Sequence, residues 1–474
     1  MIKILNPELE FLKSAFSYDN SFITYDSVIS WVKKQNQQIE VEVNEIPFDK
    51  LINWKFDNNV LSHKTGNFFS IDGISVKTNW GDVHSWDQPI INQPEIGYLG
   101  FIAKSFNGVL HFLVQAKVEP GNVNYVQLSP TLQATKSNYS RVHKGKSPNY
   151  LEYFINASPD QILLDQLQSE QGARFLKKRN RNIIIKVDQD IPVLENFVWL
   201  TLAQIIKLMS VDNLVNMDTR TVISGIPFGS YSDPNIIMRS FLKDKASEDF
   251  FSNKVLNSTL NSNDGVNTIS SIINFITSQK SKFDLFVEKK ALNDLNGWNI
   301  SESSIEHVKN KYFKIIAVDV NINNREVINW TQPMIKPAQE GLCAFVCKEI
   351  NGVLHFIVQS KLECGNFDII ELAPTVQCLT GNYRTSNQKK LPFLEYVLSI
   401  EKNKIIFDTL QSEEGGRFFK EQNRNMIVFA GNEISEDLPE NFIWMTLYQL
   451  KSFIKYNNYL NIQSRSLIAA LPLT

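Results

Sequence analysis

The chain repeats itself. FNGVLHFLVQAKVEPGNV, beginning at Phe106, returns as INGVLHFIVQSKLECGNF from Ile350. VQLSPTLQAT from Val126 returns as IELAPTVQCL from Ile370, and LQSEQGARFLKKRNRN from Leu167 returns as LQSEEGGRFFKEQNRN from Leu410. ENFVWLTLAQI at Glu195 matches ENFIWMTLYQL at Glu440, and NMDTRTVISGI at Asn216 matches NIQSRSLIAAL at Asn461. Asn107 and Asn351 lie 244 positions apart, Leu167 and Leu410 243, and Glu195 and Glu440 245. So steady an offset leaves room only for one- or two-residue insertions in loops, so two copies of one unit are expected. Weaker pairings of Trp54 with Trp298, His63 with His307 and Trp86 with Trp330 carry the repeat upstream. The recognisable repeats run from about Val28 to Pro227 and from about Ile272 onward. The expected division is a first unit at 1–228, a polar linker with a short helix at 229–267, and a second unit at 268–474.

Periodicity within a unit is mixed. DSVISWVKKQ and SIINFITSQK have helical spacing, whereas YLGFIAKS, GVLHFLVQAKVE, QILLDQLQ and NIIIKV are short β-rich runs. Asn107-Gly108 between two apolar runs signals a tight hairpin. ENFVWLTLAQIIKLMS reads as one amphipathic helix closing the unit, capped by Asn196. Strands with packed helices predict an α+β fold.

Composition sets the outer limits. Hydrophobic residues make up 43% and charged residues 21%, and the formal charge is only −2. No global field draws this chain to nucleic acid or an anionic membrane. No apolar stretch approaches the ~18 residues a membrane helix needs. MIKILNPELEFLKSAF lacks a signal peptide's apolar core and cleavage site, so a cytoplasmic location is expected. Cys343 and Cys347 share a strand face about 13 Å apart, too far to bridge, and with Cys364 and Cys378 they read as buried free thiols. No HExxH, Cys/His cluster, dinucleotide fingerprint or P-loop is present, and neither a metal nor a cofactor is expected.

Three constellations can carry chemistry. Along Val109–Glu119, Leu110, Phe112, Val114, Ala116 and Val118 form an apolar face. His111, Gln115, Lys117 and Glu119 point the other way, and His355, Gln359, Lys361 and Glu363 repeat them. An acid, an amine and an imidazole on one face suit acid–base work, although a solvated sheet face has the same pattern. Each strand runs into a Gly-Asn turn, bringing Asn122 and Asn366 to its end. The second constellation is Glu170, Arg174 and Arg181, with Arg417 and Arg424 in the copy, whose guanidinium forks match a diphosphate. Lys177, Lys178 and Arg179 read as a solvated basic turn. The third is the hydroxyl- and amide-rich loop from Ser129 to Arg141, containing Thr135, Ser137, Asn138 and Tyr139, with Tyr383 in the copy. Gln127 precedes it, and His63 is a weaker candidate. Asp218, Thr219 and Arg220 read as a structural cap for the last element, and Trp54, Trp86 and Trp199 as core.

VLHFLVQAKVEPGNVNYVQLSPTLQATKSNYSRVH, YLEYF, QSEQGARFLKKRNRN and VNMDTRTVIS in the first half resemble the nucleotide-diphosphate-hexose 2,3-dehydratase family, as do IELAPTVQC, PFLEYV, SEEGGRF and NIQSRSLIA in the second. The resemblance implies a duplicated Nudix-like fold, a homodimer, and two nucleotide-sugar pockets per subunit of which one is catalytic. Leu167–Asn182 has no Nudix metal box, which argues against metal-dependent pyrophosphate cleavage. The implied substrate is dTDP-4-keto-6-deoxyglucose, and a downstream 3-ketoreductase would consume the product. On this reading Glu119 is the base, Lys117 or His111 polarises the C4 oxygen, and Tyr139 is the acid. Arg141, Arg174 and Arg181 would hold the diphosphate, and the first half is the favoured catalytic one. Two rival readings stay open: a non-catalytic nucleotide-sugar-binding protein, and a Nudix-like nucleotide-sugar hydrolase.

Overall fold

The computed structural model describes residues 7–20, 22–57, 59–136, 147–229, 250–323, 327–379 and 391–473. The first half runs α1 (Pro7–Ala15), α2 (Tyr25–Gln37), β1 (Val41–Ile46), β2 (Trp54–Asp57), β3 (Val60–His63), β4 (Ser70–Thr78), β5 (Ser85–Asn92), β6 (Gly97–Phe106), β7 (Val109–Val118), β8 (Val126–Ser129), β9 (Leu132–Ala134), α3 (Leu151–Ile155), β10 (Ile162–Ser169), β11 (Arg179–Lys186), β12 (Phe197–Thr201), α4 (Leu202–Leu208) and α5 (Met217–Ser224). The second half repeats that order as α6 (Phe250–Leu260), α7 (Ile269–Lys282), β13 (Leu285–Lys290), β14 (Trp298–Ile300), β15 (Ser304–His307), β16 (Phe313–Ile322), β17 (Asn329–Pro337), β18 (Gly341–Ile350), β19 (Val353–Leu362), β20 (Ile370–Pro374), β21 (Val376–Leu379), α8 (Leu394–Ser399), β22 (Ile405–Ser412), β23 (Gln422–Phe429), β24 (Phe442–Thr446), α9 (Leu447–Ile454) and α10 (Ile462–Ala469). The fold is sheet-rich α+β in two repeated halves.

Each half carries a seven-stranded mixed sheet, ordered β10-β11-β6-β7-β12 in the first half, with β8 and β9 added to β7 and β6. Only β11–β6 is parallel in it, the other pairs being antiparallel. The Asn107-Gly108 hairpin forms as expected. Both residues have positive φ, 51° and 78°, which matches the turn to the twist of β6 and β7. The outward face of β7 is apolar in its middle, where Leu113 packs with Leu132, Phe154 and Trp199, and polar only toward Lys117.

The smaller sheets are shared. β1 leaves the first half to pair antiparallel with β16, and β13 leaves the second half to pair with β4. This reciprocal exchange encloses a joint core in which Phe69, Ile91 and Phe175 meet Phe313, Ile335 and Phe418. The indoles join it: Trp54 Nε1 donates to Thr331 O at 2.8 Å and Trp298 Nε1 to Asp87 O at 2.7 Å. The four cysteines are unbridged.

Two local readings change. ENFVWLTLAQI is not one helix: Phe197–Thr201 is a strand beside β7, and α4 begins only at Leu202. FVWLT has the β-branched and aromatic side chains of a strand, and Thr201 with Gln204 forms the capping box that starts the helix. Asn196 instead faces the edge of β7, its Nδ2 donating to Ala116 O at 3.5 Å. Asp218, Thr219 and Arg220 do not cap α5 but form it, the cap being Asn216. Within 250–267, α6 packs on β19 as α1 packs on β7. Ser14 Oγ bridges Leu110 O and Leu202 N, and Ser258 Oγ bridges Leu354 O and Leu447 N in the same way.

Candidate active site

β7 ends in the Glu119-Pro120-Gly121-Asn122 turn, which is held by the other half. Gly121 N donates to Gly415 O at 2.8 Å, and Lys420 N donates back to Gly121 O at 2.7 Å. The symmetric turn does the same, with Gly365 N on Gly172 O and Lys177 N on Gly365 O, both at 2.7 Å. Each acidic strand end therefore faces a Glu/Gln-Gly turn borrowed from the opposite half.

Glu119 is buried. Its Oε1 accepts from Gln133 Nε2 at 2.7 Å and lies 3.7 Å from Lys117 Nζ, while Oε2 has no partner. Gln133 is aligned in turn by Ser129 Oγ at 3.0 Å and Asn216 Nδ2 at 3.2 Å, so the amide can only donate toward Glu119. An unpaired carboxylate oxygen in a buried setting is costly unless a ligand or water meets it. Asp218 from α5 lies within electrostatic reach of Glu119, of Glu170 just past β10, and of Glu414 from the second half.

Burial and mutual repulsion raise these acids. Asp218 is held well above the carboxylate range by burial, reinforced by Glu170, Glu414 and Glu119. Glu170 is also raised by burial, against the pull of Arg465 and Lys178 and of the 2.7 Å hydrogen bond from Asn180. Glu414 is pushed up to about 7 by burial and by Glu119. Burial lowers Lys178 to about 8, and its Nζ donates to Glu95 O.

Glu95 leads outward to an open cavity of about 500 Å³, within the size range of small-ligand sites. Its wall includes His63, Asn67, Phe68, Phe69, Lys136 and Lys289. Arg417, crossing from the second half, stacks 4.2 Å over the Phe69 ring and donates to Gln93 Oε1. Aromatic and amide groups with Lys136, Lys289 and Arg417 at this cavity suit an elongated anion.

The sequence matches the family model described as NDP-hexose 2,3-dehydratase twice, at residues 25–226 and 269–471. This chain belongs to the NDP-hexose 2,3-dehydratase family. A protein of Saccharopolyspora spinosa named dTDP-4-dehydro-6-deoxy-alpha-D-glucopyranose 2,3-dehydratase is 43% identical over 470 residues, covering 98% of this chain and 95% of its own. Proteins of the same name from Amycolatopsis orientalis and Streptomyces violaceoruber are 37% and 38% identical, covering 97% and 93% of this chain and 92% and 96% of their own. The activity class is that of a hydro-lyase.

In this 2,3-dehydratase the two acidic strand ends differ in the groups around them. Glu363 keeps the arrangement of Glu119, its Oε1 accepting from Gln377 at 2.9 Å, with Lys361 beside it on β19. Asp218, however, corresponds to Gln463, Glu414 to Gln171, and Lys178 to Glu421. Gln171 donates to Glu413, which Asn423 also holds. Asn122 and Asn366 brace their turns beside Gly415 and Gly172.

Several expected ligands sit elsewhere. Arg174, expected in the first pocket, crosses to stack 4.2 Å over Phe313, just as Arg417, expected in the second, stacks 4.2 Å over Phe69 of the first half. The turn carrying each arginine lies on the seam between halves, so its side chain reaches the opposite site. Arg181 is engaged at the surface by a bidentate pair with Asp165 at 2.7 and 2.6 Å, and Arg424 likewise by Asp408. Each guanidinium fork is thus already engaged by a cross-strand carboxylate.

His111 lies at the other end of β7 from Glu119, eight residues and roughly 26 Å away, packed edge-on against Phe22 and Phe106. Burial lowers its pKa, and Nδ1 faces Val109 O at 2.9 Å. His355 is also structural, its Nε2 accepting from Val266 N. Gln127 belongs to the seam, donating to Ser412 Oγ at 2.7 Å and to Asn124. Gln359 donates to Pro374 O, and Gln115 is half-buried opposite Ser129. Thr135 is half-buried, next to Lys136 of the cavity wall. Ser137, Asn138, Tyr139, Arg141 and Tyr383 lie outside the described residues.

Gln133, Asn216, Asp218, Lys178 and Glu414 were missed. Gln133 and Asn216 recur as Gln377 and Asn461, a signal that was available. Lys178 and Glu414 differ between the copies, where Glu421 and Gln171 stand instead, so recurrence does not mark them.

Proposed function

We propose that this enzyme acts on a dTDP-4-keto-6-deoxyhexose, the class named for its relatives, and eliminates water across C2 and C3. The carrying observation is Glu119: a buried carboxylate with one unpartnered oxygen, oriented by Gln133 and adjacent to Lys117. The C4 carbonyl acidifies the C3–H bond. Glu119 takes that proton, and Lys117 stabilises the charge that develops on the C4 oxygen. The C3–C2 double bond then forms as the C2–O bond breaks, and the hydroxyl leaves as water with a proton from an acid. The resulting C3 enol tautomerises by protonation at C2, giving a 3,4-diketo-2,6-dideoxy sugar nucleotide. Substrate and product are at the same overall oxidation level apart from lost water, so no external redox step is required.

The cavity beside Phe68 and Phe69 would take the nucleotide, with Arg417, Lys178 and Lys136 placed toward the diphosphate. The first-half pocket is the catalytic one in this reading, since it has Asp218 and Glu414 where the second has glutamines. The sequence reading gave the acid role to Tyr139. We also infer, on the family resemblance, Nudix-like descent, a homodimer, a cytoplasmic location, consumption of the product by a 3-ketoreductase, and units divided by the 229–267 segment. The test is deuterium washout from substrate labelled at C3. Glu119→Gln should abolish washout and elimination while still binding the sugar nucleotide. Wild-type washout in that variant would remove Glu119 as the base.

A further inference from the structure

We propose that Glu414, supplied to the first-half pocket by the second half of the chain, is the acid that protonates the departing C2 hydroxyl. The inference rests on Glu119 being the base of that pocket. Glu414 immediately precedes the glycine whose carbonyl holds Gly121, so its backbone is fixed against the Glu119 turn. Gly415 itself packs on that turn: an added Cβ would overlap Asn122 Oδ1 and lie 2.9 Å from Glu119 Cβ. One oxygen of Glu414 accepts from Gly416 N at 2.9 Å, which orients the carboxyl from behind.

Accessibility sets Glu414 apart from its neighbours. Glu119, Glu170 and Asp218 are buried, whereas Glu414 is half-buried and so can meet a ligand entering beside Arg417. Within electrostatic reach of Glu414, buried Glu119 keeps an unpartnered Oε2. The symmetric pocket supplies an internal contrast. There the position is Gln171, an amide that cannot transfer a proton and whose Nε2 is committed to Glu413.

Elimination needs a base that begins ionised and an acid that begins protonated. Glu119 lies beside Lys117 and accepts from Gln133 through Oε1, which leaves Oε2 free of protein partners to receive a proton. Glu414 faces Glu119 and Glu170, with Asp218 nearby, while Arg417 and the hydrogen bond from Gly416 N act in the opposite direction. Burial and that repulsion bring it to about 7. When the C2–O bond breaks, the proton passes from the Glu414 carboxyl to the leaving oxygen, and the carboxylate is reprotonated from solvent.

The test separates the two proton transfers. With C3-deuterated substrate and purified full-length protein, Glu414→Gln should keep washout within about tenfold of wild type and lose elimination by roughly 100-fold or more. Glu119→Gln should lose both. Its loss of neither would overturn the base assignment on which the acid depends. Wild-type elimination by Glu414→Gln would overturn the acid assignment alone and return the role to Tyr139. Loss of washout as well as elimination, with binding intact, would also overturn it. If the glutamine variant fails to bind substrate, Glu414→Asp decides: recovered binding with recovered elimination that declines as pH rises supports the proposal, and recovered binding without elimination contradicts it.

Discussion

Gly121 N lies 2.8 Å from Gly415 O, and through that bond the first half's acidic strand end is fixed to the second half's turn. The contact excludes side chains, because a Cβ on Gly415 would overlap Asn122 Oδ1. Gly415→Ala should therefore push Glu414 away from Glu119. We expect turnover to fall at least about tenfold, with a stability loss of ~1–3 kcal/mol. Steady-state kinetics and denaturant unfolding check the two effects separately.

The exchanged arginines make a second prediction. Arg417→Ala should weaken binding of a dTDP-sugar to the first pocket by roughly 10- to 100-fold, the range for a lost charge-assisted contact. Arg181→Ala should leave affinity unchanged and cost less than ~1 kcal/mol, since its partner Asp165 is at the surface. Calorimetric titration of both variants distinguishes them. Equal losses would mean that Arg181 reaches the ligand after all.

His111 supplies the opposite expectation. Its distance from Glu119 along β7 removes it from the chemistry, so His111→Gln should retain kcat/KM within about threefold. The variant should register in thermal unfolding instead, because the ring packs against Phe22 and Phe106.

Stability should depend on pH through Glu371. Burial pushes this carboxyl up to about 7, against the favourable influence of Arg465 and a 2.9 Å hydrogen bond from Ser169. The folded state then holds its proton more tightly than the unfolded state does. That contribution is complete below the ordinary value of 4.5 and disappears as pH rises through about 7. Glu371→Gln should flatten the decline in unfolding free energy between those limits. The first half already has glutamine at the equivalent Gln127, so the amide fits such a site.

The duplication, the α+β class, the hairpin at Asn107-Gly108 and the polar end of β7 were all legible, because period and turn chemistry are local. The strand at FVWLT was not, since its apolar run continues into a true helix and only Thr201-x-x-Gln204 marks the start. Lys117 and Glu119 stand at the end of β7, where the period of two puts them, and His63 lines the cavity. Arg174 and Arg417 each stack on a ring of the opposite half. Nothing in linear spacing reveals that β1 and β13 change places, and that exchange puts each arginine across the seam. Arg181, expected at the diphosphate, pairs with Asp165 at the surface, and recurrence marks such an ion pair as readily as a ligand site.

The most direct test is to incubate the purified protein with dTDP-4-keto-6-deoxyglucose, a 3-ketoreductase and NADPH, and to weigh the sugar nucleotide produced. The account predicts a product lighter than the starting sugar by one oxygen, from loss of water and gain of two hydrogens, and no such product from Glu119→Gln. Bound but unchanged substrate, or release of free dTMP, would contradict it.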